Sequence, residues 1–371
     1  MKKILFIDNT AHHLYGQLHH LNALRSAGYQ IEVLIPDDGR YFNELQSLGF
    51  NCYNNVRSWS GVNPLQELGL LLLLRRIIKQ IQPNLICSFT IKPNLYAAII
   101  TRQLKIPIIT NITGLGTLFM RKKLQARFAV ALYRYAFKKV SQVFFQNSDD
   151  FKYIHQLNIL NNDTSVEVLP GSGVDLSGFP YVVNVNDNSK LIFLYSGRLI
   201  RDKGIYELIE AFKIVKSQFH QVRLKFIGNY FPANPSAINP IQMQQWMNEG
   251  IIEYLGMVDN VADVISGVDC MILPSYREGM PRSLLEASSM GKPIITVDSI
   301  GCKDVVEDGV TGFLAKVKDV STLADAMIKF IELPFDKKVE MGLNGRRKME
   351  CEFDQKIVVT KYLEAVNKLL I

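Results

Sequence analysis

The sequence predicts an α/β protein built of two doubly wound halves. Three observations carry that expectation. Short apolar runs alternate with longer stretches of helical period along nearly the whole chain. The alternation pauses at the polar, turn-rich stretch 182–188 and then starts afresh. The chain has 371 residues, enough for two substantial cores. Open parallel sheets carry ligands beyond the carboxyl ends of their strands, so two such halves facing each other are expected to hold a ligand in the cleft between them.

Taken in order, residues 1–7 predict a first strand. Their start is basic, but the apolar run is too short for a signal peptide. Residues 9–16 are polar and predict a loop carrying His12, His13, Tyr15 and Gly16. A helix is expected over 17–27, closed by Gly28, then a strand at 31–36, a helix at 41–48 and a weak strand at 50–53. Residues 65–81 predict a helix whose leucine run 70–74 is stopped by Arg75 and Arg76, well short of a membrane span. Strands at 85–89, 106–110 and 143–146 alternate with helices at 94–104 and 119–140. After a strand near 166–170, the pattern restarts with strands at 191–195, 222–227, 251–255, 270–273 and 294–297. Helices are expected at 205–219, 241–249, 261–266, 322–332 and 354–370. The expected domains are 1–180 and 181–353, with a terminal helix, 354–371, packing back on the first.

Hydrophobic residues make up 48% of the chain and charged residues 21%, ordinary values for a water-soluble fold. Five scattered cysteines form no C-x-x-C pair, which points to reduced thiols in a cytosolic protein and not to a metal site or a disulfide framework. The net charge of +7 is unevenly spread. Residues 1–180 hold 19 Lys and Arg against 11 Asp and Glu, and residues 181–371 hold 23 against 24. From Leu68 to Ser148 there are 13 Lys and Arg and no acid. Such a half suits a polyanionic neighbour: nucleic acid, an anionic membrane or a diphosphate-bearing substrate. Nucleic acid is disfavoured, because no groove-reading or stacking motif accompanies the charge.

The richest stretch is Arg277-Glu278-Gly279-Met280-Pro281-Arg282-Ser283-Leu284-Leu285-Glu286. It lies between two buried-strand patterns, so it reads as the loop and helix of a βαβ unit. Its two carboxylates, Glu278 and Glu286, stand eight positions apart. A helix start attracts anions through its unpaired N–H groups, and carboxylates beside it can hold hydroxyls. Sugar nucleotides carry both kinds of group. Upstream, Gly197-Arg198 and Lys203-Gly204 put two basic residues on a strand-to-helix turn.

Together these stretches closely resemble the E-x7-E and G-R-x-x-x-x-K-G segments of retaining glycosyltransferases of family 4, the GT-B nucleotide-sugar enzymes. Leu169-Pro170-Gly171-Ser172-Gly173-Val174-Asp175 matches the segment between the family's two Rossmann-like domains. The resemblance implies that Arg198 and Lys203 grip the donor diphosphate and that Glu286 holds the ribose. It implies that Glu278, with the backbone of Gly279, Met280 and Pro281, holds the sugar. Ser283, Leu285 and Gly197 complete the expected donor set. Catalytic weight falls on Glu278, Arg198 and Lys203. Fixed cations can stabilise a departing diphosphate without metal. The second half has no D-x-D triplet, so a metal-independent enzyme without cofactor is expected.

In the first half, Gly16 matches the family's first-loop glycine, though Tyr15 stands where a paired glycine is common. His12, His13, Tyr15, Lys92 and Thr113 are candidates for the acceptor side. The segments 88–94 and 112–116 resemble bacterial enzymes that extend polyprenyl-diphosphate-linked saccharides. Arg121, Lys122, Lys123 and Arg127 open a basic stretch interleaved with aromatic residues. It suits an anionic membrane surface or an acceptor diphosphate, or equally a core-facing helix with a solvated back. The expected activity is transfer of a hexose or N-acetylhexosamine from a UDP-sugar to a polyprenyl-linked or similar surface glycan, at the inner face of a bacterial membrane. The rival readings are a nucleotide-sugar 2-epimerase on the same fold and a non-catalytic module that binds anionic membranes or nucleic acid.

Overall fold

The computed structural model describes residues 1–54, 59, 63–115, 123–183, 190–232 and 234–370. The chain divides into two compact units, Met1–Ser172 with Lys356–Ile371, and Gly173–Gln355. The division falls after Ser172, ahead of the polar stretch 182–188, whose residues 184–188 lie outside the described residues. Val174 explains the position: its N–H donates to Phe353 O at 2.8 Å, which ties this segment to the second unit.

Among the described residues the first unit carries a parallel sheet in the order β3-β2-β1-β4-β5-β6-β7. The strands are β1 (Lys3–Ile7), β2 (Gln30–Leu34), β3 (Asn51–Tyr53), β4 (Leu85–Phe89), β5 (Ile108–Ile112), β6 (Gln142–Phe145) and β7 (Ser165–Val168). Alternate residues of β1 enter two different cores. Leu5 and Ile7 join Leu74, Ile77 and Phe137, whereas Ile4 and Phe6 join Leu21, Leu24 and Tyr362. Both faces of the sheet are therefore covered, which is why its strands read as continuous apolar runs.

The helices of this unit are α1 (Ala11–Tyr15), α2 (Leu18–Ser26), α3 (Tyr41–Ser47), α4 (Pro64–Ile81), α5 (Ile91–Leu104), α6 (Lys123–Phe137) and α7 (Ser148–Gln156). The polar stretch 9–16 holds helix α1 where a loop was expected. Thr10 caps it, its Oγ1 accepting from His13 N at 3.2 Å. Helix α7 also lay outside the sequence expectation. Asn147 caps it, and its polar composition hides the period.

The second unit repeats the plan with a parallel sheet in the order β10-β9-β8-β11-β12-β13. The strands are β8 (Ile192–Ser196), β9 (Arg223–Ile227), β10 (Glu253–Tyr254), β11 (Cys270–Leu273), β12 (Ile294–Val297) and β13 (Gly312–Ala315). The helices are α8 (Ile205–Gln218), α9 (Pro240–Asn248), α10 (Val261–Ser266), α11 (Arg282–Ser289), α12 (Val320–Glu332) and α13 (Phe335–Lys348). Strand β13 and helix α13 have weak sequence patterns, a four-residue strand and a strongly charged helix. Helix α14 (Gln355–Leu370) ends the chain. Its Val358, Tyr362, Val366 and Leu370 recur at helical spacing and are buried in the first unit's core. Both units are thus doubly wound α/β folds, and in each the strand order reverses at one place: between β1 and β4, and between β8 and β11.

Candidate functional site

In the second unit the two sequence motifs follow β8 and β11, the strands that flank the reversal. There the loops leave the sheet in opposite directions and open a crevice at the carboxyl ends. Strand β8 delivers Gly197 and Arg198, and a 3-10 turn, Arg201–Lys203, leads through Gly204 into α8. Gly204 has φ +72°, and a Cβ there would lie 2.1 Å from Pro274 O. A glycine alone lets the β8 loop press against the β11 loop. Two hydrogen bonds hold that approach: Tyr276 N donates to Asp202 O at 2.9 Å, and the side-chain Tyr276 Oη donates to Glu207 Oε1 at 2.7 Å.

This packing brings Lys203 Nζ onto Glu278 Oε1 as an ion pair between residues 75 positions apart. The side chains are only 13% and 15% exposed. Glu278 is fixed from behind, its N–H donating to Ile300 O at 2.9 Å. Gly301, at φ +82°, lets the chain after β12 pass so close that a Cβ would meet Glu278 O at 2.6 Å. Arg198 is exposed, with its guanidinium 5.7 Å from the Phe231 ring. Among the residues that sequence reasoning missed, Tyr276, Glu207 and Gly301 build this corner. Their roles are contacts between distant segments, which no local pattern announces.

Helix α11 starts at Pro281 with no side chain capping it. Gly279, Met280 and Ser283 are half-buried beside this start. Glu286 lies on the same helix, 14% exposed at its side chain, with Arg282 Nη2 at 3.3 Å. Burial raises its carboxyl above the ordinary range, and Arg282 offsets part of that. Leu285 departs from the expectation. It is 0% exposed and belongs to the unit's core, so only its backbone can face a ligand. Cys302 also lies near Glu278, but burial, aided by the Glu278 charge, pushes its thiol up to about 12. It stays protonated and is no nucleophile.

The first unit's reversal gathers a second, separate cluster. Asp8, fully buried after β1, is hydrogen-bonded to His13 Nδ1 at 2.5 Å, and the His13 ring meets Phe89 edge-on at 5.9 Å. Next in the chain, Thr90 has φ +66° and ψ 171°, a strained setting for a β-branched residue. His12 is exposed and tilts against Tyr41 at 4.8 Å, and Tyr15 meets Tyr41 at 5.1 Å. Gly16 sits at φ −62° in an ordinary helical conformation, which does not require glycine. Lys92 does not project freely, since it pairs with Glu67 at 2.7 Å. Thr113 is half-buried just after β5.

Arg121 and Lys122 lie outside the described residues, as does Gly116. Lys123 opens α6 and Arg127 is exposed on it. Two aromatics of α6 that would have added apolar insertion turn inward: Tyr133 and Phe137 are buried in the core. The exposed Tyr135 carries Arg102 over its ring at 4.9 Å. The sequence could not tell which face of α6 the sheet would claim.

Known proteins bear on both clusters. The family model for glycosyl transferases group 1 matches residues 182–348, and the glycosyl transferase 4-like model matches residues 3–147. The chain is a glycosyltransferase of the family 4 type. Over 94% of both chains, this glycosyltransferase is 26% identical to the N,N'-diacetylbacillosaminyl-diphospho-undecaprenol alpha-1,3-N-acetylgalactosaminyltransferase of Campylobacter jejuni. It is 22% identical to the UDP-Gal:alpha-D-GlcNAc-diphosphoundecaprenol alpha-1,3-galactosyltransferase of Escherichia coli, over 84% of this chain and 81% of that one. Its fold matches that of Anabaena HepE, solved in complex with UDP and glucose, with a TM-score of 0.79. That match has 19% identity and covers 99% of this glycosyltransferase and 100% of HepE.

Proposed function

We propose that this glycosyltransferase moves a hexose or N-acetylhexosamine from a UDP-sugar to a hydroxyl of a polyprenyl-diphosphate-linked saccharide, with retention at the anomeric carbon. The observation that carries the donor half is the Lys203–Glu278 pair at the second sheet's reversal. It joins a cation suited to a diphosphate with a carboxylate suited to sugar hydroxyls. The acceptor half is supported by the two relatives whose names specify diphospho-undecaprenol acceptors and whose likeness covers 94% and 84% of this chain.

In this reading Arg198 and Lys203 bind the diphosphate, with the uncapped start of α11 beside them. Glu286 accepts from the ribose hydroxyls, and Glu278 with Gly279, Met280 and Pro281 orients the sugar. As the bond from the anomeric carbon to the diphosphate breaks, the cations stabilise the charge that develops. The acceptor oxygen attacks from the same face, and its proton passes to the departing diphosphate. His13, held by Asp8, stands on the acceptor side together with His12, Tyr15 and Thr113. The reaction runs without a metal, because fixed cations supply the charge that a divalent ion would bring. The protein works at an anionic membrane surface, where such acceptors reside. Among the described residues no helix is long and apolar enough to cross a membrane.

The test incubates purified protein with UDP-N-acetylgalactosamine, UDP-galactose or UDP-glucose, with and without a short-chain polyprenyl-diphosphate saccharide, in excess EDTA. We expect UDP release that depends on acceptor and survives chelation. An altered sugar nucleotide without acceptor would indicate the epimerase. Activity lost in EDTA and restored by Mg²⁺ would overturn metal independence.

A further inference from the structure

Helix α4 leaves a stripe of leucines uncovered. Leu65, Leu68 and Leu72 are 81%, 54% and 56% exposed, and the adjoining Leu73 is 36% exposed. Their spacing puts them on one side of the helix, and the exposed Arg76 and Lys79 continue that side toward its end. The opposite side is buried: Leu74, Ile77, Ile78 and Ile81 belong to the first unit's core. The helix has one acid, Glu67, and it faces away from the stripe. It accepts from Tyr96 Oη and pairs with Lys92 at 2.7 Å, both residues of α5. The outward stripe therefore holds leucines, then cations, and no carboxylate.

We propose that this stripe of α4 is the surface by which the protein docks on an anionic lipid bilayer. The leucines enter the boundary between headgroups and acyl chains, and Arg76 and Lys79 meet lipid phosphates. The proposal rests on the membrane reading above and gives it a location other than α6. Charge decides the occupant. The segment from Leu68 to Ser148 contains no acid, so a second copy docking through this surface would bring cations against cations. A lipid surface instead offers phosphate along the whole stripe and apolar depth beneath it. Helix α4 packs on α5 and α5 on α6, so the exposed Arg127 and Arg134 of α6 add to the same basic unit.

The experiment uses the full chain and two kinds of vesicle: phosphatidylethanolamine with phosphatidylglycerol, and phosphatidylcholine alone. The double variant Leu68→Ser/Leu72→Ser is expected to sediment with the anionic vesicles about tenfold less well. Its helical signal and UDP affinity should match the parent, which separates docking from folding and from the donor site. Arg76→Glu/Lys79→Glu should lose binding to a similar degree. In Leu72→Trp, emission should shift to the blue on anionic vesicles. Undiminished sedimentation of the leucine variant, or no blue shift, overturns the assignment of α4 and leaves the membrane reading standing. Failure of the parent to sediment with either vesicle overturns both. A parent dimer that the leucine changes convert to monomer, with vesicle binding intact, overturns the proposal in favour of a second copy.

Discussion

Lys203 and Glu278 depend on each other, and this sets them apart from Arg198. Both sit in a mostly buried pair, where loss of one partner leaves the other charged and desolvated, at a cost of about 3 kcal/mol. Arg198 is exposed, with the Phe231 ring 5.7 Å from its guanidinium. Three outcomes follow. Arg198→Ala should lower transfer about a hundredfold with an unchanged melting temperature. Lys203→Ala should lose as much activity and also several degrees of melting temperature. Adding Glu278→Gln to Lys203→Ala should restore most of the stability and none of the transfer, since the stranded charge is gone but so is the diphosphate cation. Full turnover in Arg198→Ala and Lys203→Ala, measured as acceptor-dependent UDP release, would remove both residues from the donor site.

At the scale of elements, what was legible followed from how local each signal is. The strands β8, β11 and β12 and the loop after β11 stand out because a buried parallel strand writes a continuous apolar run and the E-x7-E segment lies within one loop and helix. The pairing of Lys203 with Glu278 was not legible, because it depends on two loops meeting across the sheet. Leu285 shows the converse: it stands beside Glu286 in the motif, but the helical period turns it, with Leu284, into the core. Helix α1 was hidden because its Thr10 cap and two histidines read as a polar loop. Thr90 was equally hidden, since nothing in Ser88-Phe89-Thr90 announces a backbone at φ +66°. Such a conformation costs about 1–3 kcal/mol and persists where the surroundings impose it. It sits where β4 ends, beside the Asp8–His13 pair through Phe89. Thr90→Gly should therefore raise stability to chemical denaturation by about 1 kcal/mol or more while raising the KM for acceptor and leaving UDP affinity as it was. A destabilised variant would show that the strain is not relieved by glycine, and a normal acceptor KM would remove Thr90 from the acceptor side.

At the scale of the whole chain, its last helix is tied to its first turns. Helix α14 belongs to the first unit, and Tyr362 on it bonds Asn111 and lies against the His20 ring at 4.3 Å. His20 is 1% exposed, has His19 3.9 Å away, and neither of its ring nitrogens meets a hydrogen-bond partner among the described residues. Burial, reinforced by His19, holds its pKa well below the ordinary 6.5. The folded chain therefore keeps His20 neutral in a range where the unfolded chain protonates it. Below about pH 6.5 the unfolded state binds the extra proton, and stability must fall as pH falls, by up to about 1.4 kcal/mol per pH unit from this group. Above that range His20 is neutral in both states and contributes no slope. The melting temperature should then decline between about pH 6.5 and 5, before most carboxylates titrate. His20→Phe, which keeps an aromatic ring against Tyr362, should flatten that decline while leaving the plateau near pH 8 little changed. An equal decline in the variant would assign the acid sensitivity to other groups and leave His20 a passive part of the core beneath α14.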